Sequence, residues 1–362
     1  MPARDSEVAS DLRDGARLAG AKSSPILSYW YVACRSKELK KKPVAITILE
    51  KHLVLFRGPD DRAAALEDSC LHRGAALSGG TASRGTLMCP YHGWRYATDG
   101  RVAQIPSMPE GCAVPPHLRT ISYPSFEQDG FVWVCLSDSP ATKAPRRFPL
   151  LDTPAVTTFV MKTPFRAPVE DCLENFLDCP HATTVHRMWF RSPVSKPVQA
   201  IVRTLPDGAV AEYIDEPREK SAVFRLLSQN SARMTHTDRF IAPATSEVDY
   251  QFSNGDRCMI TSTCRPVHDR LTVVYTVMSF RFRLYGPLVR LVFHPMSRII
   301  ITQDVRMLDR QQDNLKRFKR PHRYNIIQQD LLAAHIWQWR NALKAGTPPP
   351  EPGYESHVEM RF

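Results

Sequence analysis

Two short segments that each hold one cysteine and one histidine constrain this chain more than any other feature. One residue separates Cys70 from His72, and sixteen residues further on, two residues separate Cys89 from His92. Glycine or proline accompanies each pair, which suits tight turns. Two thiolates and two imidazoles are metal donors, so the segments predict two loops that hold one metal centre.

The order of the donors favours one kind of centre. A [2Fe–2S] cluster with cysteines on one iron and histidines on the other takes this mixture from two approaching loops. A structural zinc site also accepts two cysteines and two histidines, but zinc fingers usually place the cysteines in one pair and the histidines in the other. Because each pair here is mixed, we favour the cluster and keep zinc as the alternative.

Length and composition predict a protein of about two globular domains. The chain has 362 residues, of which 43% are hydrophobic and 23% charged. It has no run of about 18 apolar residues, and its first residues lack the apolar segment of a secretory signal. We therefore expect a cytoplasmic protein without a membrane span. Nine cysteines, two of them assigned to the metal, do not suggest a disulfide framework.

The formal net charge of +11 comes largely from basic clusters at 40–42, 146–147 and 316–320. We interpret these clusters as a docking surface for an acidic electron carrier, because a one-electron cluster must be reduced by something that docks near it. Solvated basic faces without a partner are the alternative. No nucleic-acid-binding motif is present.

Hydrophobic patterning predicts an α+β fold with two domains and polar ends. Residues 1–27 are expected to form a flexible tail, 28–140 a small antiparallel β domain, 141–156 a linker, 157–345 a second domain with an antiparallel sheet flanked by helices, and 346–362 a Pro-rich tail. Terminal helices are expected from near Gly286 and over 330–345. Strands are predicted at 44–49, 52–57, 63–67, 87–89, 96–98 and 130–135, and then at 209–213, 222–227, 239–242, 247–252, 259–265 and 271–282.

A second metal constellation is predicted between residues 170 and 186. Asp171, Glu174, Asp178 and His181 fall at helical spacing, and His186 follows beyond a proline-interrupted turn. An amphipathic surface helix would explain the stripe alone, but such stripes usually carry Lys and Glu rather than Asp and His. Two histidines five positions apart across a turn can converge on one ion.

The third ligand is sought downstream, because a mononuclear Fe(II) oxygenase site needs two imidazoles and one carboxylate. Positions 301, 304, 308, 311, 315 and 318 repeat at helical spacing and are apolar except for Asp304 and Gln311. An aspartate on a buried stripe is costly unless it is paired or binds a metal. Asp304 is therefore the predicted ligand, and a buried salt bridge to Arg187 or Arg306 is the alternative.

Both motifs resemble the Rieske non-haem iron oxygenases, in their alpha (terminal oxygenase) subunits. The similarity lies in Cys-x-His-x16-Cys-Pro-Tyr-His-Gly-Trp, in Glu-Asn-Phe-Leu-Asp-x2-His-x4-His and in a late Gln-Asp-x3-Leu. It implies a β Rieske domain joined to a catalytic domain of helix-grip type. It also implies that Cys70, His72, Cys89 and His92 bind the cluster and that His181, His186 and Asp304 bind the iron.

The resemblance further implies that Asp178 links a cluster histidine, His92, to the iron ligand His181 across neighbouring subunits of a homotrimer. Asn175 precedes Asp178 by three positions, whereas the naphthalene dioxygenase branch has one more residue between them. The role of Asn175 is therefore left open. Phe176 and the apolar residues 188–190 are candidates for the wall of a substrate pocket.

The function implied by the resemblance is O2-dependent monooxygenation of a largely apolar small molecule, by hydroxylation, demethylation or N-oxygenation. Parts of the sequence are similar to the arylamine N-oxygenases, so arylamines are one candidate class. Electrons from NAD(P)H are expected to arrive only through a separate ferredoxin and/or ferredoxin reductase. Two other interpretations stay open: a Rieske electron-transfer protein without oxygenase activity, and a binding protein whose second site has lost its iron.

Overall fold

The computed structural model describes residues 24–186, 197–214, 234–282, 286–319 and 324–361. Three α-helices lie in these ranges: α1 (Val169–Leu177), α2 (Gly286–Arg317) and α3 (Ala333–Ala345). The strands are β1 (Trp30–Arg35), β2 (Val44–Ile48), β3 (Lys51–Arg57), β4 (Ala63–Glu67), β5 (Thr81–Ser83), β6 (Thr86–Met88), β7 (Arg95–Tyr96), β8 (Val102–Gln104), β9 (Ser122–Tyr123), β10 (Ser125–Gln128), β11 (Phe131–Cys135), β12 (Thr157–Phe165), β13 (Pro197–Leu205), β14 (Gly208–Ile214), β15 (Met234–Ile241), β16 (Thr245–Phe252), β17 (Arg257–His268), β18 (Leu271–Arg281) and β19 (Glu355–Arg361).

The first half of the chain folds into three small antiparallel sheets. Their strand orders are β1-β11-β10, β2-β3-β4-β9 and β5-β6-β7-β8. The predicted cluster ligands lie after β4 and between β6 and β7, at the ends of short strands. Cys70 and Cys89 belong to the hydrophobic core of this part, together with Leu87 and Tyr96. The cysteines are thus anchored in packed structure while the loops turn outward.

The second half is built on one eight-stranded sheet with the order β12-β18-β17-β16-β15-β14-β13-β19, and all neighbouring strands are antiparallel. Side chains alternate between buried and less buried along strands such as β13 and β15, as expected when one face is covered. Helix α1 packs across β15–β18, α2 against β12, and α3 against α1 and β14. An α+β fold with helices on a long antiparallel sheet is therefore confirmed.

The two halves share a continuous hydrophobic core and direct hydrogen bonds. The backbone carbonyl of Ala33 in β1 accepts a hydrogen bond from Arg265 Nη1 at 2.5 Å and another from Tyr275 Oη at 3.2 Å. The segment 141–156 contains neither helix nor strand, yet Phe148 is buried against Phe131 and Trp133. Arg146 of the same segment pairs with Glu247 on β16, so the segment contacts both halves.

One expectation about the chain ends needs correction. Residues 346–362 were expected to form a Pro-rich tail, but β19 pairs with β13 over residues 355–361 and completes the sheet. Of the basic clusters, Arg146 and Arg147 are exposed, and Arg146 pairs with Glu247 and Arg147 with Asp129. Lys40, Lys41 and Lys42 are exposed, and so are residues 316–319.

The folded part also begins earlier than Ser28. Residues Pro25–Ser28 form a 3-10 helix, and the hydroxyl of Ser24 donates a hydrogen bond to the carbonyl oxygen of Leu343 at 2.8 Å. The rest of the expected tail, the predicted strand at 222–227 and the pocket residues 188–190 lie outside the described residues. Within the part that the structure describes, none of the helices combines the length and hydropathy that crossing a membrane requires.

Candidate metal centres

The two cysteine–histidine loops are built in the same way. In the first, the N–H of Gly74 donates to the carbonyl of Cys70 at 2.7 Å, and in the second the N–H of Gly93 donates to the carbonyl of Cys89 at 3.2 Å. Gly74 has φ +67° and Gly93 has φ +70°, a left-handed conformation that glycine adopts without strain. The glycine after each histidine is therefore needed to turn the loop back.

The four predicted ligands separate into two pairs. Cys70 and Cys89 are 3% and 2% exposed, whereas His92 is exposed and its ring lies 4.5 Å from the ring of His72, centroid to centroid. The two cysteines are therefore a buried pair and the two histidines a neighbouring pair nearer the surface. This arrangement fits a two-iron cluster with cysteines on one iron and histidines on the other.

Polar atoms around the loops support the same assignment. The Nδ1 atom of His72 is buried and has no hydrogen-bond partner, as expected of an atom that binds a metal. Burial raises the pKa of the Cys89 thiol, against the lowering effect of the Tyr91 and His92 backbone N–H groups. The Tyr96 hydroxyl lies 3.1 Å from Cys70 Sγ. Donors are thus already directed at the sulfur atoms.

The second centre brings together residues from two elements. Helix α1 ends at Leu177, a 3-10 turn over Pro180–Thr183 carries His181, and His186 follows it. Asp304 lies on the buried side of α2. The prediction that a proline-interrupted turn would let the two histidines converge with a distant aspartate is in agreement with this geometry.

The donor atoms have the spacing of a facial triad. His181 Nε2 lies 3.3 Å from His186 Nε2, and Asp304 Oδ1 lies 3.0 Å from His186 Nε2 and 3.6 Å from His181 Nε2. Metal bonds of about 2.1 Å at right angles place donors about 3 Å apart. His186 is 4% exposed and Asp304 5%, and Asp304 Oδ1 makes no regular hydrogen bond. The three residues therefore fit a mononuclear iron.

Charges within the triad are mutually stabilising. Burial would raise the pKa of the Asp304 carboxyl, but the imidazoles of His181 and His186 hold it below its usual value. Burial would lower the pKa of His181, but the carboxylates of Asp304 and Asp178 raise it. Asp304 pairs with these imidazoles rather than with Arg306, one of the two alternatives, while Arg187 lies outside the described residues.

Each imidazole is oriented by a second contact. His186 Nδ1 lies 2.8 Å from Gln303 Oε1, and His181 Nδ1 contacts the backbone carbonyl of Asp178. With Nδ1–H donated in this way, Nε2 of each ring presents its lone pair to the metal. Sequence reasoning missed Gln303, although it immediately precedes Asp304 in the Gln-Asp motif.

Asp178 occupies the border between this centre and the surface. Its carboxylate Oδ2 lies 3.7 Å from His181 Nδ1, and its side chain is 41% exposed. Burial of its surroundings raises the pKa of the Asp178 carboxyl, against the lowering effect of His181. Asp178 is thus the carboxylate of the predicted stripe that contacts an iron ligand and is still reachable from outside.

The remaining acidic residues of the stripe have structural partners. Asp171 accepts hydrogen bonds from Gln312 Nε2 at 2.5 Å and Tyr324 Oη at 3.0 Å, and Glu174 accepts one from Trp337 Nε1. Burial raises the pKa of Glu174 to about 7, although the bond from Trp337 works against this. The predicted stripe is therefore divided between helix packing at its start and metal binding at its end.

A cavity of about 140 Å³ opens beside the triad, between the sheet and helices α1 and α2. Phe176 lines it as predicted, and so does Asn175, whose Oδ1 is buried without a hydrogen-bond partner. Nine further lining residues have large apolar side chains: Met161, Val248, Ile260, Met278, Phe280, Phe293, Met296, Ile300 and Ile301.

Two polar residues of this cavity were missed from the sequence. His236 and Asp238 occupy inward positions of β15 and are 1% and 2% exposed. The signal was the alternation of Met234, His236, Asp238 and Phe240, which the predicted strand at 239–242 began too late to include.

Comparison with known proteins covers nearly the whole chain. The family model described as Rieske [2Fe-2S] domain matches residues 29–124, and the model described as Vanillate O-demethylase oxygenase C-terminal domain matches residues 165–345, half of the chain. Each model contains one of the two metal centres, the first the cysteine–histidine loops and the second the triad.

Curated relatives match over different lengths. A chloroplastic chlorophyllide a oxygenase of Oryza sativa subsp. japonica is 26% identical over 328 residues, 88% of this chain and 57% of that protein. Aminopyrrolnitrin oxygenase of Pseudomonas fluorescens is 34% identical over 170 residues, 44% of this chain and 46% of that protein. The chain spans about half the length of the curated relatives it matches.

Among solved structures, dicamba monooxygenase bound to 3,6-dichlorosalicylic acid superposes with a TM-score of 0.78 at 22% sequence identity, covering 88% of this chain and 98% of that chain. At this identity the likeness concerns the fold, which both chains share over nearly their whole length.

Proposed function

The chain belongs to the Rieske non-haem iron oxygenases as an alpha subunit, and from that premise we propose that it is the terminal oxygenase component of an electron-transfer system. In this proposal it activates O2 and monooxygenates a largely apolar small molecule by hydroxylation, demethylation or N-oxygenation. The observation that carries the proposal is the presence of two separate donor sets, one for a cluster and one for a facial triad, in a single polypeptide.

The cofactors of this family are a Rieske [2Fe–2S] cluster and a mononuclear iron. We assign Cys70, His72, Cys89 and His92 to the cluster, and His181, His186 and Asp304 to the iron. When bound, the cluster supplies single electrons and the iron supplies O2 activation. His181, His186 and Asp304 all line the cavity with its apolar wall, where a substrate can lie.

Asp178 is proposed to connect the centres of neighbouring subunits. Its carboxylate contacts the ring of His181 and is 41% exposed, and His92 on the cluster loop is also exposed. A contact between these two groups joins one subunit's cluster to the next subunit's iron. A head-to-tail interface of this kind closes into a ring, which supports the proposed homotrimer.

The electron donor and the location belong to the same proposal. A ferredoxin and/or ferredoxin reductase passes electrons from NAD(P)H to the cluster, and the exposed Lys40, Lys41 and Lys42 suit an acidic carrier. We propose a cytoplasmic location, while the rice relative is described as chloroplastic.

The size of the cavity supports a small aromatic substrate. A cavity of about 150 Å³ lined by apolar side chains holds benzene, and the cavity here measures about 140 Å³. One aromatic ring therefore fits the space between the described elements. The similarity to aminopyrrolnitrin oxygenase supports an arylamine as the substrate class.

Metal analysis of the anaerobically purified full chain tests the proposal. We expect about three irons and about two acid-labile sulfides per chain, and about two irons in the His186→Ala variant with the sulfide unchanged. A Rieske electron carrier, the second candidate, would hold about two irons in both proteins. Finding zinc, or two irons in the unmodified protein after reconstitution with Fe(II), would contradict the oxygenase.

A further inference from the structure

Three aromatic rings form a stack across the middle of the sheet. Tyr213 on β14, His236 on β15 and Tyr250 on β16 are direct cross-strand neighbours. The ring of His236 lies 4.3 Å from the ring of each tyrosine, with interplanar angles of 8° and 19°. The imidazole is therefore fixed between two parallel faces and cannot turn freely.

Asp238 completes this group from the same strand. Its Oδ1 lies 3.0 Å from His236 Nε2, and its Oδ2 accepts a hydrogen bond from Tyr213 Oη at 3.0 Å. Each oxygen of Asp238 thus has one polar partner, whereas a carboxylate offers about four acceptor sites. Two donors occupy only part of that capacity.

The pair lies at the iron end of the cavity. His236 and Asp238 both line it, and Cys179 Sγ lies within 4.8 Å of a ligand atom of each. Cys179 is two residues before the predicted iron ligand His181. The pair and the triad therefore face the same cavity, and Cys179 lies next to the pair.

The negative charge of the aspartates in this cavity should favour some aromatic substrates over others. Asp178, Asp238 and Asp304 all line the cavity, and the carboxylate of Asp238 is 2% exposed. Bringing a second negative charge beside a buried carboxylate is unfavourable, because little water is present to screen the repulsion. An N–H or O–H donor gains a charge-assisted hydrogen bond at the same place.

We infer that the His236–Asp238 pair determines substrate specificity by accepting a hydrogen bond from a single-ring aromatic amine or phenol, and that it disfavours a ring carboxylate. The inference rests on the proposed function, which makes this cavity the substrate pocket. The apolar remainder of the cavity, with Phe280 and Phe293 in its wall, holds the ring. The pair fixes which end of the ring faces the iron.

Binding measurements on the oxidised holoenzyme, without reductant, test the inference separately from turnover. The probes are p-toluidine, p-cresol, p-toluate and toluene, which share one ring and one methyl group and differ in the group offered to Asp238. We expect p-toluidine and p-cresol to bind about ten-fold more tightly than toluene, and p-toluate to bind most weakly. In Asp238→Asn the advantage of the amine should be lost and the affinity for p-toluate should rise.

Two further variants keep the test decisive. Tyr213→Phe removes one donor to Asp238 while preserving the ring, so that the amine preference can be measured even if Asp238→Asn does not fold. Ser262→Ala removes a hydroxyl of the same cavity that is hydrogen-bonded to Thr276, 3.2 Å away, and should change the affinity for all four probes alike.

Equal or tighter binding of p-toluate by the unmodified protein, unchanged ratios in Asp238→Asn, or no binding of any probe would overturn the inference. Iron content is measured on the same samples, and O2 uptake on portions of them after a reductant is added. A full complement of three irons with O2 uptake but the wrong order of probes contradicts the inference alone, whereas loss of the third iron contradicts the proposed function.

Discussion

The cluster loops and the iron triad show two different ways of holding a metal. The cluster ligands come from a segment of 23 residues, 70–92, and its histidines lie toward the surface on turns fixed by local hydrogen bonds. The iron ligands span residues 181–304 and meet in a buried site between a turn and a long helix. The first site depends on local backbone geometry, whereas the second depends on the packing of the whole catalytic half.

The polar residues that contact the two sites differ in the same way, since they are close in sequence at the cluster and far apart in sequence at the iron site. Tyr96, close to the sulfur of Cys70, lies only 26 residues further along the chain, on β7 beside the strand that leads to Cys89. Gln303 and Asp178 orient the iron histidines from elements that are more than 100 residues apart. Weakening the packing of the second half should therefore affect the iron before it affects the cluster.

The largest expected effect comes from removing the one iron ligand on α2. Asp304→Asn keeps the size of the side chain but removes its charge, so we expect loss of the third iron and a fall in turnover of more than about 100-fold, with the cluster spectrum unchanged. Iron analysis, reduced-state EPR and product formation measure this. Asp313→Asn, on the same helix and 68% exposed, is the matched control. Retention of the third iron in Asp304→Asn would show that the triad is misassigned.

The next largest expected effect is on the free energy of unfolding, at the ion pair that joins α1 to α3. Glu170, 4% exposed, accepts hydrogen bonds from Arg340 Nε at 2.8 Å and Lys344 Nζ at 2.5 Å. Glu170→Gln leaves the buried guanidinium without its charge partner and should lower the free energy of unfolding by about 3 kcal/mol. Denaturant unfolding measures this change. We expect the mononuclear iron to be released before the cluster is bleached. Glu212→Gln, in an exposed pair with Arg203, should change the free energy of unfolding far less.

The stabilisation by the Glu170 ion pair should decrease as the pH is lowered. Burial would raise the pKa of Glu170, but Arg340 and Lys344 lower it from 4.5 to about 2. The unfolded chain therefore binds the proton more readily, and the stabilisation is fully present above pH 4.5 and is lost as the pH falls towards 2. The stability difference between the unmodified protein and Glu170→Gln should narrow over this interval. A constant difference would contradict the buried ion pair.

Asp178→Asn tests the contact that joins the two sites. His181 remains oriented by the backbone carbonyl of residue 178, so both metals should stay bound, while turnover falls about 10- to 100-fold. The measurement is the rate at which the reduced cluster is reoxidised in the presence of O2 and substrate. Asp269→Asn, 77% exposed at a strand turn, serves as the control. Normal reoxidation in Asp178→Asn would exclude a carboxylate relay between subunits.

The two sites also differ in how much the sequence could predict. The cluster loops are local, so the spacing of their four predicted ligands is enough to bring them together, and Asp304 was selected because a polar residue interrupts a buried helical stripe. Asp171 and Glu174 share that polar stripe but serve packing, because their partners Tyr324 and Trp337 are brought in only by the tertiary fold. Periodicity alone cannot distinguish these two uses of a carboxylate.

The pairing of strands that are distant in sequence was the other feature that the sequence could not predict. Strand β19 follows a Pro-rich segment and pairs with β13, some 150 residues earlier, so nothing local identifies it as part of the sheet. His236 and Asp238 were missed because polar residues at inward strand positions look like an exposed segment until the neighbouring strands are known. The cavity side chains could not be assigned without the sheet register.

The smallest effect is expected at the cluster, where the Tyr96 hydroxyl contacts Cys70 Sγ and also accepts a hydrogen bond from the backbone N–H of Leu71. Tyr96 Oη lies 3.1 Å from Cys70 Sγ, and a hydrogen bond to a ligand sulfur stabilises the reduced, more negative cluster. Tyr96→Phe should therefore make the reduction potential more negative by roughly 20–60 mV, the one-electron equivalent of a hydrogen bond worth about 0.5–1.5 kcal/mol. Tyr91 is 63% exposed, and its ring lies against that of His92. Tyr91→Phe keeps this ring and should leave the reduction potential nearly unchanged. Because the triad lies in the other half of the chain, its iron content should not change in either variant. An equal shift in both variants would mean that the hydroxyl of Tyr96 does not act on the sulfur.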